Sequence, residues 1–67
     1  MRAVVNGHAR ELAAGATVEE VVRSLVEEPE RGVAVALDGA VVPRSEWAAT
    51  PVAEGQEVEV LRAVQGG

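Results

Sequence analysis

The sequence predicts an α+β fold in which one main helix covers one face of a mixed sheet. Three observations predict it. Valine-rich runs that alternate in polarity lie near the start, in the middle and near the end of the chain. A single amphipathic stripe falls between the first two of them. The turn dipeptides Asn6-Gly7 and Asp38-Gly39 each stand between two such runs and fold them into hairpins. At 67 residues the chain has room for one domain with a thin core.

Residues 1–6 form the first strand, with Met1, Ala3 and Val5 on one face, and residues 8–12 return beside it, polar enough to sit at the sheet edge. His8, the sole histidine, reads as a solvated turn residue, since no serine, cysteine or second histidine accompanies it. After a loop over 13–16, Thr17 opens the helix, and Glu20 three residues later completes a capping box. Val18, Val21, Val22 and Leu25 make the core stripe, and Pro29 stops the helix. Glu27, Glu28 and Glu30 read as a solvated loop, because they lack the Asp/Asn and Gly pattern of a calcium site.

In the third strand, over 33–37, Val33, Val35 and Leu37 face the helix. Ala34 and Ala36 then leave the outer face flat and mildly apolar, which suits close approach by another protein. Ala40-Val41-Val42 is a short fourth strand ending at Pro43. Ser45 is placed to cap a helical turn that holds Trp47, and this only aromatic residue is the large piece a valine-and-alanine core needs. Thr50-Pro51 and Glu54-Gly55-Gln56 are turn material. The last strand, over 57–61, sends Val58 and Val60 inward and Glu57, Glu59 and Leu61 outward.

The first and last strands carry the strongest inward valines, so both are central, adjacent and parallel. That arrangement is the β-grasp. It occupies residues 1–62, and residues 63–67 remain as a C-terminal tail ending in Gly66-Gly67. Ordering such a tail costs roughly 5 to 10 kcal/mol of backbone entropy. Burying Ala63 and Val64 returns only about 2 to 3 kcal/mol, so the expectation is a flexible tail that can enter another protein's cleft.

Composition narrows the function. The chain has no cysteine, which excludes disulfides, thiolate nucleophiles and Cys-based metal sites. All six basic residues are arginines, so no side-chain amine is available. Eleven carboxylates give a net charge of -5, which repels phosphate backbones and argues against nucleic acid. No apolar run is long enough to span a membrane and no secretory leader pattern opens the chain, so a cytoplasmic protein is expected.

Several stretches together resemble the ThiS family, the ubiquitin-like sulfur carriers of thiamine biosynthesis. They are Val5-Asn6-Gly7, Thr17-Val18-Glu19, the run from Val33 through Pro43-Arg44 to Trp47, the strand around Val58-Glu59, and the ending Ala63-Val64-Gln65-Gly66-Gly67. The double glycine alone is shared with other ubiquitin-like carriers, including the small subunit of molybdopterin synthase, whose members are usually longer and richer in aromatics. A carrier of that type, or a non-carrier β-grasp interaction module with an idle tail, is the alternative reading.

The resemblance implies that the chain is no enzyme but a protein-bound sulfur donor, holding no cofactor of its own. Its Gly67 carboxylate is adenylated with ATP by a ThiF-like adenylyltransferase. A sulfur-donor enzyme then converts it to a thiocarboxylate, which a ThiG-like thiazole synthase consumes. Gly66 provides backbone clearance, Val64 and Gln65 are gripped in the partner's cleft, and no metal is involved. The outer sheet face, at Val4, Ala34, Ala36 and Leu61, is the expected docking surface for both partner enzymes.

Overall fold

Both hairpin turns form where the dipeptides place them. Asn6 (φ 50°) and Asp38 (φ 49°) take up left-handed backbone, each followed by a glycine at φ 83° or 84°, the pair of positive angles that matches the twist of the flanking strands. The computed structural model describes residues 1–27 and 32–62.

Within these, β1 (Arg2–Val5) and β2 (His8–Glu11) are antiparallel. They are followed by α1 (Val18–Leu25), β3 (Val33–Leu37), β4 (Ala40–Val41), a 3-10 helix (Arg44–Ala49) and β5 (Glu57–Arg62). The strand order is β2-β1-β5-β3-β4. β5 runs parallel to β1 and antiparallel to β3, so the predicted adjacency of first and last strands holds. A mixed five-stranded sheet covered by one main helix is the ubiquitin-like β-grasp fold. β2 is exposed along its whole length, as its polarity requires of an edge.

The helix opens on the predicted capping box. Thr17 Oγ1 accepts from Glu20 N–H at 3.3 Å, and Glu20 Oε1 accepts from Thr17 N–H at 3.0 Å, satisfying two amides that the first turn leaves without partners. Val18, Val21 and Val22 are buried. Leu25 is not part of the core: it is 37% exposed, and Val26 at 4% takes its place. The reason lies in the ending. Val26 leaves the helix with extended backbone (φ -130°, ψ 127°) while its N–H still bonds Val22 O, and the turn of the chain swings its side chain inward. The helix therefore stops before Pro29, which with Glu28 and Glu30 lies outside the described residues. Glu27 is exposed beyond the cap.

The core unites Ala3 and Val5 of β1, the three helix valines, Val26, Val35, Val42, Trp47, Val52, Val58 and Val60. Val33 and Leu37 are only partly buried at the two ends of β3, whose central Val35 takes the inward position. Trp47 fills the core as expected, and its Nε1 donates to Val42 O at 3.0 Å. Ser45 does not cap its helix. The 3-10 segment begins after Pro43, with no side-chain cap, and Ser45 sits inside it, exposed. Proline at that boundary supplies the needed backbone angle and has no amide to satisfy.

Val52, between the turn residues Thr50-Pro51 and Glu54-Gly55-Gln56 and given no role by the sequence reading, is 3% exposed. It enters the core because Val52 N–H bonds Ala16 O and Val18 N–H bonds Thr50 O, a two-bond bridge that lashes the loop to the start of the helix.

Candidate functional site

β5 lies at the centre of the sheet and leads to residues 63–67. Val64, Gln65, Gly66 and Gly67, the predicted recognition and reacting residues, lie outside the described residues, as does the proposed boundary of the tail.

The start and the middle of β5 are gripped by the residues that open the two hairpin turns. Asp38 N–H donates to Glu57 O at 2.7 Å, and its carboxylate accepts from Glu57 N–H at 2.9 Å and from Gln56 Nε2 at 3.0 Å. Gln56 Oε1 in turn accepts from Ala53 N–H. These donors hold the Asp38 carboxyl below the usual aspartate range, the Glu57 amide most of all. Further along the strand Asn6 N–H donates to Val58 O at 2.9 Å. Its side-chain Oδ1 accepts from Val60 N–H at 2.8 Å and its Nδ2 donates to Val60 O at 3.3 Å. A continuing parallel strand would offer Val60 a backbone carbonyl there. Here the carboxamide supplies that acceptor while the backbone turns away. The sequence marks Asn6 and Asp38 as turn residues by their tolerance of positive φ, and that signal carries nothing about the second role.

The outer face of the sheet is set by register. Ala34 pairs with Leu61 and Ala36 with Glu59 across β3 and β5, while Ala36 also faces Val41 on β4. Together they form a shallow, largely apolar hollow of about 100 Å³. Leu61 and Val41 stand up from it, 69% and 76% exposed. The structure brings Ala34, Ala36 and Leu61 together and adds Val41, which the sequence reading omitted; a two-residue strand is too short for alternation to reveal its face. Val4 is different. It pairs with Glu57 on the far side of β5 and is half-buried, and neither it nor Glu57 lines the hollow.

His8 is exposed, as the solvated reading requires. Among the described residues no three His, Cys, Asp or Glu side chains gather as metal ligands, and no helix is long and apolar enough to cross a membrane.

The described residues thus form a small body with a largely apolar hollow on its outer sheet face and a central strand that the sequence continues to a double glycine, and known proteins resemble the chain. The sulfur carrier protein ThiS of Escherichia coli (strain K12) is 33% identical over 67 residues, covering all of both chains. The crystal structure of the thiamine biosynthesis protein ThiS from Geobacter metallireducens aligns with a TM-score of 0.82 at 36% identity, again over all of both chains. A solution structure of a thiamine biosynthesis protein from the same organism gives 0.80 at 33% identity, covering all of this chain and 88% of that one. With the ThiS family model matching residues 3–67 as well, the chain belongs to the ThiS family.

Proposed function

We propose that this protein is the sulfur carrier of thiamine biosynthesis and that Gly67 bears the sulfur as a terminal thiocarboxylate. The observation that carries the reading is the match to the Escherichia coli sulfur carrier, which runs through Gly66-Gly67 and spans both chains completely. A terminal carboxylate, with a pKa of about 3.3 to 3.7, is ionised at neutral pH and a poor electrophile, so activation comes from a partner.

An adenylyltransferase joins the Gly67 carboxylate oxygen to the α-phosphorus of ATP, with pyrophosphate as leaving group. Sulfide-level sulfur delivered by a donor enzyme then attacks the acyl carbon, the C–S bond forming as the C–O bond to AMP breaks, and the thiocarboxylate is left for a thiazole synthase. Gly66 and Gly67 have no Cβ, so the backbone can pass a narrow channel to the reacting carbonyl. Val64 and Gln65 provide the grip within it. Ala34, Ala36, Val41 and Leu61 dock the body on the adenylyltransferase and, in a separate complex, on the synthase, with the cytoplasm as the compartment.

Incubation with the adenylyltransferase, ATP and a sulfur source should raise the intact mass by the difference between a sulfur and an oxygen atom, localised to Gly67 by fragmentation. An unchanged mass, with the partner shown active on its own carrier, would rule the reading out.

A further inference from the structure

Asn6 carries a chemical feature that the carrier role does not use. It precedes Gly7, whose amide nitrogen has no side chain to shield it, and the space where a Cβ would stand is open. Such a nitrogen can attack the neighbouring asparagine Cγ. The N–Cγ bond forms, the Cγ–Nδ2 bond breaks, and ammonia leaves with the amide proton. Water then opens the resulting succinimide at either carbonyl, giving aspartate or isoaspartate, and neither oxidant nor reductant is needed.

In this fold the same carboxamide grips Val60 through both heteroatoms, at 2.8 and 3.3 Å. Ring closure expels Nδ2, so the reaction cannot finish without breaking the bond to Val60 O. The hairpin also fixes Asn6 at φ 50° and Gly7 at φ 83°, which restrains the rotation that brings Cγ onto the Gly7 nitrogen.

We propose that Asn6 is a spontaneous deamidation site, restrained while its carboxamide clasps Val60, and that its conversion unclasps the central strand at Val60. An aspartate product still accepts from Val60 N–H, but its second oxygen now faces Val60 O with no proton between them, and attraction becomes repulsion. An isoaspartate product also lengthens the main chain by one carbon inside a turn that pairs Val5 with His8. Either change acts on the strand that leads to Gly67. The chemistry at Asn6 itself does not depend on the carrier reading.

The test ages the full chain in mildly alkaline buffer, folded and in urea, and maps the Asn6-Gly7 peptide with protein isoaspartyl methyltransferase as the probe for isoaspartate. Conversion is expected in both samples, about tenfold or more slower in the folded one, the factor two net hydrogen bonds supply. Equal rates would overturn the restraint, and an unmodified peptide in urea would overturn the site. Asn6→Asp mimics one product. At neutral pH its Val60 amide should exchange with solvent about fivefold faster than in the parent, the effect of one lost hydrogen bond. The gap should close when acid restores a proton to the new carboxyl. Equal Val60 protection at neutral pH would overturn the clasp.

Discussion

The Asp38 carboxylate accepts a hydrogen bond from the Glu57 amide at 2.9 Å, fastening the hairpin turn of β3 and β4 to the first residue of the central strand. Glu57 and Gln56 lower the Asp38 pKa from its ordinary 3.8, so protonation favours the unfolded chain. The sign follows: the stabilisation is fully present well above pH 3.8 and drains away as pH falls through that value toward the lower folded one. Glu11, lowered chiefly by its bond to the N-terminal ammonium, acts in the same direction. Asp38→Asn keeps a residue that tolerates the left-handed turn but removes the titration. Its melting temperature should lie below the parent's at pH 7 and converge on it in acid. A gap that stays constant across the pH range would show that the carboxylate charge is not what matters.

Val41 and Val4 separate two views of the docking face. Both are valines on the outer surface, but only Val41 lines the hollow with Ala36 and Leu61, while Val4 stands beyond Glu57. If the hollow seats a partner's apolar side chain, Val41→Asp should weaken binding to the adenylyltransferase by about tenfold or more, the range of a central interface residue. Val4→Ser should change it by less than about threefold, as expected of a peripheral contact. Titration calorimetry with both variants decides it, and circular dichroism shows whether each remains folded. Equal losses would mean that the interface extends past Glu57 onto β1.

The legible parts of this fold are those written in short-range chemistry. The capping box at Thr17 and Glu20, the two left-handed turns and the inward alternation of Val58 and Val60 each depend on residues a few positions apart, and all appear as read. What escaped depends on contacts distant in sequence. Leu25 fits the helical stripe, yet nothing local says that the chain leaves the helix at Val26 and turns that valine inward instead. Val52 is drawn into the core by its bond to Ala16 O and by the neighbouring bond from Val18 N–H to Thr50 O, which no turn pattern announces. Ser45 looked like a cap because serine often is one, but Pro43 had already set the start of the 3-10 helix. For the site, the alanines of β3 were readable from alternation, whereas Val41 gained its place only through its pairing with Ala36.

Trp47 is the one large side chain in a core made mostly of valine, and its indole N–H supplies the Val42 carbonyl with a buried partner. Trp47→Phe removes that donor and leaves a void that neighbouring valines are too short to fill. The combined loss should be about 2 kcal/mol, a large share of the stability of so small a domain. Urea unfolding followed by circular dichroism gives the value, and an unchanged slope with denaturant shows that the midpoint shift reports stability. A loss below about 0.5 kcal/mol would place the indole outside the set of surface-independent core contacts.

If Gly67 carries the reacting carbonyl, the length of the chain beyond the body is fixed by the partner's active site. Appending one alanine moves the terminal carboxylate by about 3.3 to 3.6 Å along an extended chain. A misplacement of about 1 Å can already cost on the order of a hundredfold in rate, so the extended protein should show almost no ATP-dependent pyrophosphate release with the adenylyltransferase. Its thermal unfolding should match the parent's, because the last described strand ends at Arg62, several residues before the addition. Affinity for the partner should fall little if the outer sheet face dominates docking, and the extended chain should then compete with the parent for adenylation. Pyrophosphate release at the parent's rate would mean that the terminal carboxylate is not read by position, and an activation mechanism centred on Gly67 would have to be abandoned.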